Sequence, residues 1–503
     1  MIRPRLWMLA LCVAVALAAI SCGKAGGGFT SAGDDASDDD LGDDAAGDDD
    51  AGGDPWDIWI APWPQAAVPP RDYDEGPAPG PLRLKAQAYD AWHEAHHQPF
   101  YGSTVEVYFK DDERTEPIWY GGLGDSCIWT GTYLASQAFR YYVTGEAQAR
   151  ANVLRAQSAL SGHLHVTGRP GFIARYRGPQ DPVLMPADCA QQDNCHVVTE
   201  GPYAGDFWFG DTSRDQYTGW FLGMAMAYDL VDDEATRDQI RADVTEVLEE
   251  LIRTGFVITD VDGRRTGPGP EVIPTYRLAW YLIGYHITGQ GNFKRVVQDL
   301  IRDENRTALK VSAVSFMNRY TQEYGNNLGH QNAYDMLRLA RAYLNDNDTQ
   351  FLLDLFETQT HRYLRLEHNA FFNAIEMSQG RYEAAPGDPY EAQLLEDLTD
   401  FRPAPNSEYA VTPPEAELDP VSVFLYDLFQ KYPTLEGIFG STQVQALHAY
   451  PVFYQCFTDF LWQRNPFSIE CGGVDEPRYV SPGVDYLVAY WMAAYHKFLG
   501  KAD

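Results

Sequence analysis

The chain has 503 residues, 45 % hydrophobic and 13 % aromatic, which excludes wholesale disorder and collagen-like repeats. Its formal charge is −34, and from Trp56 onward 61 acidic residues still face 35 basic ones. A surface this acidic repels phosphate backbones, so nucleic acid is not an expected partner.

At the N-terminus Arg3 and Arg5 precede an almost wholly apolar run from Leu6 to Ile20. A basic start, a short apolar segment and small residues before a cut mark an export signal, not a stable span. The ending Ala19-Ile20-Ser21-Cys22 resembles the lipobox of bacterial lipoproteins. The resemblance implies removal of residues 1–21 and lipidation of Cys22. Gly23, standing where Asp would signal inner-membrane retention, then favours the outer membrane. From Ser31 to Asp54 the chain is mostly Asp, Ala and Gly, so residues 22–55 read as a charged tether with little to bury. No later stretch is an uninterrupted apolar run of about 18 residues, which leaves the lipid as the expected membrane contact.

Residues 56–503 are expected to form one domain and a monomer. Cys189 and Cys195 flank one polar loop, and Cys456 and Cys471 bracket another. In an exported chain these pairs predict two disulfides, with Cys127 left over. No C-x-x-C pair occurs, which argues against a thiolate zinc site, and no cofactor or metal is expected.

Along the domain, Leu82–His97 predicts a helix and Thr104–Phe109 is the best strand candidate. Then a repeat begins. Trp129-Thr130-Gly131-Thr132-Tyr133-Leu134 recurs as Tyr217-Thr218-Gly219-Trp220-Phe221-Leu222. Its ending, Val143-Thr144-Gly145, aligns with Val231-Asp232-Asp233 and returns in Tyr285-His286-Ile287-Thr288-Gly289 and, more loosely, in Ala342-Tyr343-Leu344-Asn345-Asp346. The segment Tyr217–Leu230 is apolar nearly all round, as a helix buried on every side must be. By contrast, Ile240, Val244, Val247, Leu248, Leu251 and Ile252 form a one-sided stripe ended by Gly255, and Phe293, Val296, Val297, Leu300 and Ile301 form another. A buried helix, a short turn and an amphipathic helix, repeated, predict an all-α fold in two concentric layers with few short strands.

These helix starts and Thr-Gly turns resemble the α/α-toroid, or six-hairpin glycosidase-like, superfamily, from Leu82 to Leu499. The resemblance implies an (α/α)6-type toroid with parallel inner helices whose N-termini surround a funnel, and a carbohydrate-processing activity, most simply glycoside hydrolysis. In such a ring Leu82–His97 closes against the C-terminal helix. The run Ser213-Arg214-Asp215-Gln216-Tyr217 is similar to the Ser-Arg-Gly-Gln helix start of unsaturated glucuronyl hydrolases, with Asp in place of Gly.

Polar loops preceding the inner helices then line the funnel, where helix dipoles converge. Asp125 and Asp215, at neighbouring helix starts, are the leading carboxylate pair for glycosidic cleavage, although either could merely cap its helix. His330 could be an acid, a base or a sugar donor, or simply structural. Arg175, Arg177 and Arg214 could grip a uronate carboxylate or pair with the surplus acids, with Asp211, Asn327 and Asn332 as further polar contacts. Trp129, Trp208 and Tyr217 could stack on sugar faces or serve as core. Three other activities stay open: a non-catalytic glycan binder, a polysaccharide lyase or epimerase on the same fold, and a zinc metallopeptidase. The last rests on His93-Glu94-Ala95-His96-His97, which satisfies H-E-x-x-H, but Pro99 stops the helix and no third ligand is evident.

Overall fold

Glycine at a fixed place in a buried helix permits backbones to touch, and the repeated Thr-Gly step uses it that way. The computed structural model describes Ile60 and residues 78–267, 269–314, 318–321, 323–381, 389–436, 440–456, 460–471 and 475–503. The signal, Cys22 and the tether lie outside these. The two repeat copies are helices α2 (Ser126–Thr144) and α4 (Arg214–Leu230), both buried on nearly every side. A Cβ on Gly131 would sit 2.0 Å from the Gly219 carbonyl oxygen, and one on Gly223 would sit 2.6 Å from that of Gly131. Any side chain there would push the two helices apart.

Each buried helix is followed by a half-exposed one. α3 (Ala147–His165) follows α2, and α5 (Glu234–Arg253) follows α4. Next come α6 (Pro274–Thr288) with α7 (Gly291–Ile301), and α8 (Arg306–Ser312) leads on to α9 (Tyr324–Tyr343) with α10 (Asp346–Leu355). Further on, α11 (Ala370–Glu376) precedes α12 (Pro389–Asp400), α13 (Pro420–Lys431) lies in a long connection, and α14 (Val484–Tyr495) is the C-terminal helix. The helix before the repeat, α1 (Pro81–His96), packs on α14. Arg83 Nε donates to Tyr490 Oη at 2.7 Å, and Trp491 Nε1 to Asp90 Oδ2 at 3.1 Å. Among the buried helices α2 touches α4, α4 touches α6 and α9, α6 touches α9, α9 touches α11, α11 touches α14, and α14 touches α2.

Two turn chemistries join the hairpins. At Gly145 (φ 65°) and Gly289 (φ 71°) the chain leaves the helix in the left-handed conformation, where glycine is unstrained. In both turns the preceding threonine donates to the carbonyl four residues back and accepts from the N–H two residues on. The other two copies lack glycine. There the entering helix is capped instead, with Asp233 accepting from Thr236 N–H and Asn345 from Asp348 N–H. The predicted stripes are buried except Ile252, which is 37 % exposed, and Val296, which is half-buried.

Among the described residues the strands form two small antiparallel sheets. One has the order β2-β1-β7-β6, from β1 (Glu106–Phe109), β2 (Pro117–Gly121), β6 (Asn406–Glu408) and β7 (Glu476–Ser481). The other has the order β3-β5-β4, from β3 (Tyr176–Pro179), β4 (Cys195–Val197) and β5 (Asp206–Phe209). Disulfides join Cys189 to Cys195 and Cys456 to Cys471, and Cys127 is a free, buried thiol. Among the described residues no helix is long and apolar enough to cross a membrane.

The far ends of the buried helices meet in an ionic cluster. Asp229 on α4 accepts from His286 Nε2 (2.6 Å) on α6 and from Arg338 Nη1 (2.7 Å) on α9, and Arg338 also binds Asp335 at 2.7 Å. Burial by itself would raise the Asp229 carboxyl, but the charges of His286 and Arg338 outweigh it and hold it below the usual carboxylate range.

Two outcomes follow. Gly131→Ala should lose about 1–3 kcal/mol in thermal or urea unfolding. Gly291→Ala, whose Cβ meets nothing within 4 Å, should be near neutral. Because the native Asp229 value lies below the unfolded one of about 3.9, its stabilisation is complete above that pH and drains away as pH falls through the native value. Urea midpoints should therefore drop on acidification below about pH 4, and Asp229→Asn should flatten that slope while lowering stability at neutral pH.

Candidate functional site

The N-terminal ends of α2 and α4 lie side by side because the glycine contact keeps the helices in register. Each end has free N–H groups that need acceptors. Asp125 occupies the position before α2, yet its side chain does not cap that helix. Gln216 of α4 does this instead, its Oε1 accepting from Ile128 N–H at 3.1 Å while its Nε2 donates to Asp125 Oδ1 at 3.1 Å. Asp215 does not hold the capping position either. Ser213 stands there, and its hydroxyl donates to the Asp215 carboxylate. Neither acid is explained as a simple cap.

Arg175 ties the two loops together. Its Nε donates to the Asp211 carbonyl (2.9 Å), Nη1 to the Gly124 carbonyl (2.8 Å) and Nη2 to Ser213 Oγ (2.8 Å). Nη1 also lies 3.6 Å from Asp125 Oδ1. One guanidinium thus links Asp125 directly, and Asp215 through Ser213, in one cluster. Asp211 is exposed and holds φ 53°, a left-handed turn fixed by its N–H donating to Asp260 Oδ2 at 2.6 Å. Beneath the cluster, burial first and then Asp215 push the Cys127 thiol up, against the opposing Arg175, so it stays protonated and unreactive.

Tyr276, near the start of α6, extends the site. Burial raises its phenol most, and the charges it feels are those of Arg214, Tyr324 and Asp215. It also lines a cleft enclosing about 500 Å³ of empty space, open solvent included, with Thr275, Ser312, Gly329, Asn332, Phe356 and Thr360 among its walls. Asn332 is held on three sides: Nδ2 donates to Thr218 Oγ1 (3.0 Å) and the Leu328 carbonyl (2.9 Å), and Oδ1 accepts from Trp280 Nε1 (2.7 Å). Tyr276 and Tyr324 were not among the expected site residues. Counting one helix length back from the Thr288-Gly289 turn reaches Pro274 and would have found the first of them.

Several expected site residues lie elsewhere. His330 is fully buried, with Nδ1 on the Asn326 carbonyl (2.7 Å), Nε2 on His361 Nδ1 (3.1 Å) and its ring stacked on Phe372. Burial lowers it to about 3, so it is neutral core and not a proton donor to substrate. Asn327 is fully buried too, its Oδ1 accepting from Gln331. Trp129 stacks on Phe460, Trp208 on His196 and Tyr217 on Trp280, all at 5 % exposure or less, so these rings are occupied by packing rather than open to a sugar. Arg177 belongs to a separate cluster, bound to Asp206 Oδ2 at 2.7 Å between the rings of Tyr101 and Tyr203. Arg214 opens α4, and its charge is felt at Tyr276.

The H-E-x-x-H residues are core as well. His93 stacks on Tyr133, His97 Nδ1 contacts the Val105 carbonyl at 2.7 Å, and Glu94 accepts from Arg140 and Asn152. Among the described residues no three His, Cys, Asp or Glu side chains gather to hold a metal ion.

Replacing Arg175 with Met should release both loops at once and cost about 2–4 kcal/mol in urea unfolding. Arg175→Lys, with charge but no planar fork, should recover less than half of that. Faster amide exchange at residues 122–126 and 211–214 is the accompanying signature.

No protein-family model matches the chain, and no curated protein does.

Proposed function

We propose that the chain is an exported, lipid-anchored protein whose domain is a six-hairpin α/α toroid, and that it hydrolyses a carbohydrate at the funnel mouth. The observation that carries this is the order of contacts. The buried helices α2, α4, α6, α9, α11 and α14 each touch the next, and α14 returns to α2. Each packs against a partly exposed partner, α3, α5, α7, α10, α12 and, for α14, α1. At the N-terminal ends of α2 and α4, Asp125 and Asp215 share the Arg175–Ser213 link, with exposed Asp211 also held by Arg175. Export is supported by two disulfides, which persist in oxidising compartments. Lipidation at Cys22 rests on the lipobox resemblance alone.

In this reading one carboxyl protonates the leaving oxygen and the other activates water or attacks the sugar carbon. Asp125 lies beside Arg175 and Asp215 accepts from Ser213, and the two together supply the carboxyl pair.

Asp125→Asn and Asp215→Asn should each reduce reducing-sugar release about 100-fold or more on a responsive substrate, with binding changed only a few-fold. Turnover per folded molecule equal to wild type in both variants would refute the assignment. An absorbance rise in the unsaturated-uronate band instead would mean a lyase.

A further inference from the structure

The sheet β2-β1-β7 carries a row of aromatic residues that the core does not use. Val107, Phe109 and Val480 face inward and are fully buried. The alternate residues face out, and the register puts Tyr108 opposite Trp119 on one side and Tyr479 on the other. Trp119 is 49 % exposed. The edge of its indole comes close to Gly121, where a Cβ would meet the ring at 2.7 Å, so the missing side chain makes room for the ring. The Tyr108 and Tyr479 ring centroids are 6.5 Å apart with the ring planes tilted by 47°, and the Arg478 guanidinium lies 5.3 Å over the Tyr108 ring. Strand spacing of about 4.8 Å makes the row wide enough for more than one sugar ring.

Polar groups frame the row. Tyr108 Oη donates to Glu476 Oε2 at 2.8 Å, and Arg478 holds both oxygens of Glu476 at 2.9 Å. The adjoining hairpin from Lys110 to Glu116 has four acidic residues against two basic ones, and Lys110 is paired with Glu116 at 2.8 Å. This charge pattern repels anionic polymers and leaves uncharged ones acceptable. The row is also continuous with the mouth. β2 ends at Gly121, four residues before Asp125, whose N–H donates to the Gly122 carbonyl, and β7 ends at Ser481, just before α14 begins at Val484.

We infer that Trp119 and Tyr479, flanking the Arg478-covered ring of Tyr108, form stacking positions for an uncharged polysaccharide, holding the polymer beside the funnel. Aromatic faces with polar edges suit sugar rings, whose C–H faces are apolar and whose rims are hydroxyls. The inference rests on the carbohydrate reading of the mouth and narrows its substrate to a neutral polymer.

The test is native affinity electrophoresis of the full chain, in a detergent without sugar head groups. The gels contain galactomannan, mixed-linkage β-glucan, glucomannan or, for contrast, polygalacturonate. At least one neutral polymer should retard the wild type. Trp119→Ala, Trp119→Leu (which keeps bulk beside Gly121) and Tyr479→Ala should each weaken that retardation about tenfold or more. Asp125→Asn should be retarded as wild type. The inference is overturned if no neutral gel retards the wild type, if only polygalacturonate does, or if folded Trp119 and Tyr479 variants migrate as wild type. Loss of self-association in those variants, without loss of polymer binding, would also overturn it by making the face a protein contact. Retardation without turnover on any glycan defeats the hydrolase reading and leaves the platform standing, whereas turnover with normal binding in the platform variants does the reverse.

Discussion

The contact between α2 and α4, backbone against backbone at Gly131, Gly219 and Gly223, governs the rest of the molecule. Helices with ordinary side chains pack about 8–10 Å apart, and glycine lets them close further. That closeness sets the two helix starts level with each other. Only then can Gln216 of one helix serve Ile128 of the other and hold Asp125 outside its own helix end. The candidate acid pair is therefore a consequence of packing one turn below it.

The buried helices also carry polar groups, and burial requires each to find a partner. Thr130 and Thr132 donate back to carbonyls four residues earlier, and Gln137 donates to buried Asp90. Asp90 shows the other side of this balance. Burial raises its carboxyl to about 6 despite Arg140 and the hydrogen bond from Gln137. The two ends of the helices differ in electrostatic character. The N-terminal ends gather acids around Arg175, where partial positive charge favours anions, and the C-terminal ends place His286 and Arg338 around Asp229. Each arrangement suits the macrodipole of its own end.

Local chemistry carries a surprising share of the fold. Thr-Gly turns end α2 and α6 because a threonine hydroxyl and a left-handed glycine close a helix using residues within one turn of sequence. The stripes of α5 and α7, the all-round apolarity of α4, both disulfide pairs and the helix at Pro81–His96 are equally local or periodic signals. These were legible from residue order alone.

What only the tertiary structure decided is rotation and access. Sequence placed Asp125 and Asp215 at neighbouring helix starts, but whether either side chain caps its own helix depends on Gln216 and Ser213, which come from packing and loop geometry. Arg175 and Arg177 are two residues apart and look alike in sequence, yet one ties the loops before α2 and α4 and the other lies between Tyr101 and Tyr203. His330, Trp129, Trp208 and Tyr217 have the residue types of a sugar site and are core, while Trp119, with no motif around it, is exposed. Sequence records which groups are available and the period at which they recur. Which face of each group meets solvent is set by neighbours far away in the chain, and at the starts of α2 and α4 by how closely Gly131, Gly219 and Gly223 allow the two helices to approach.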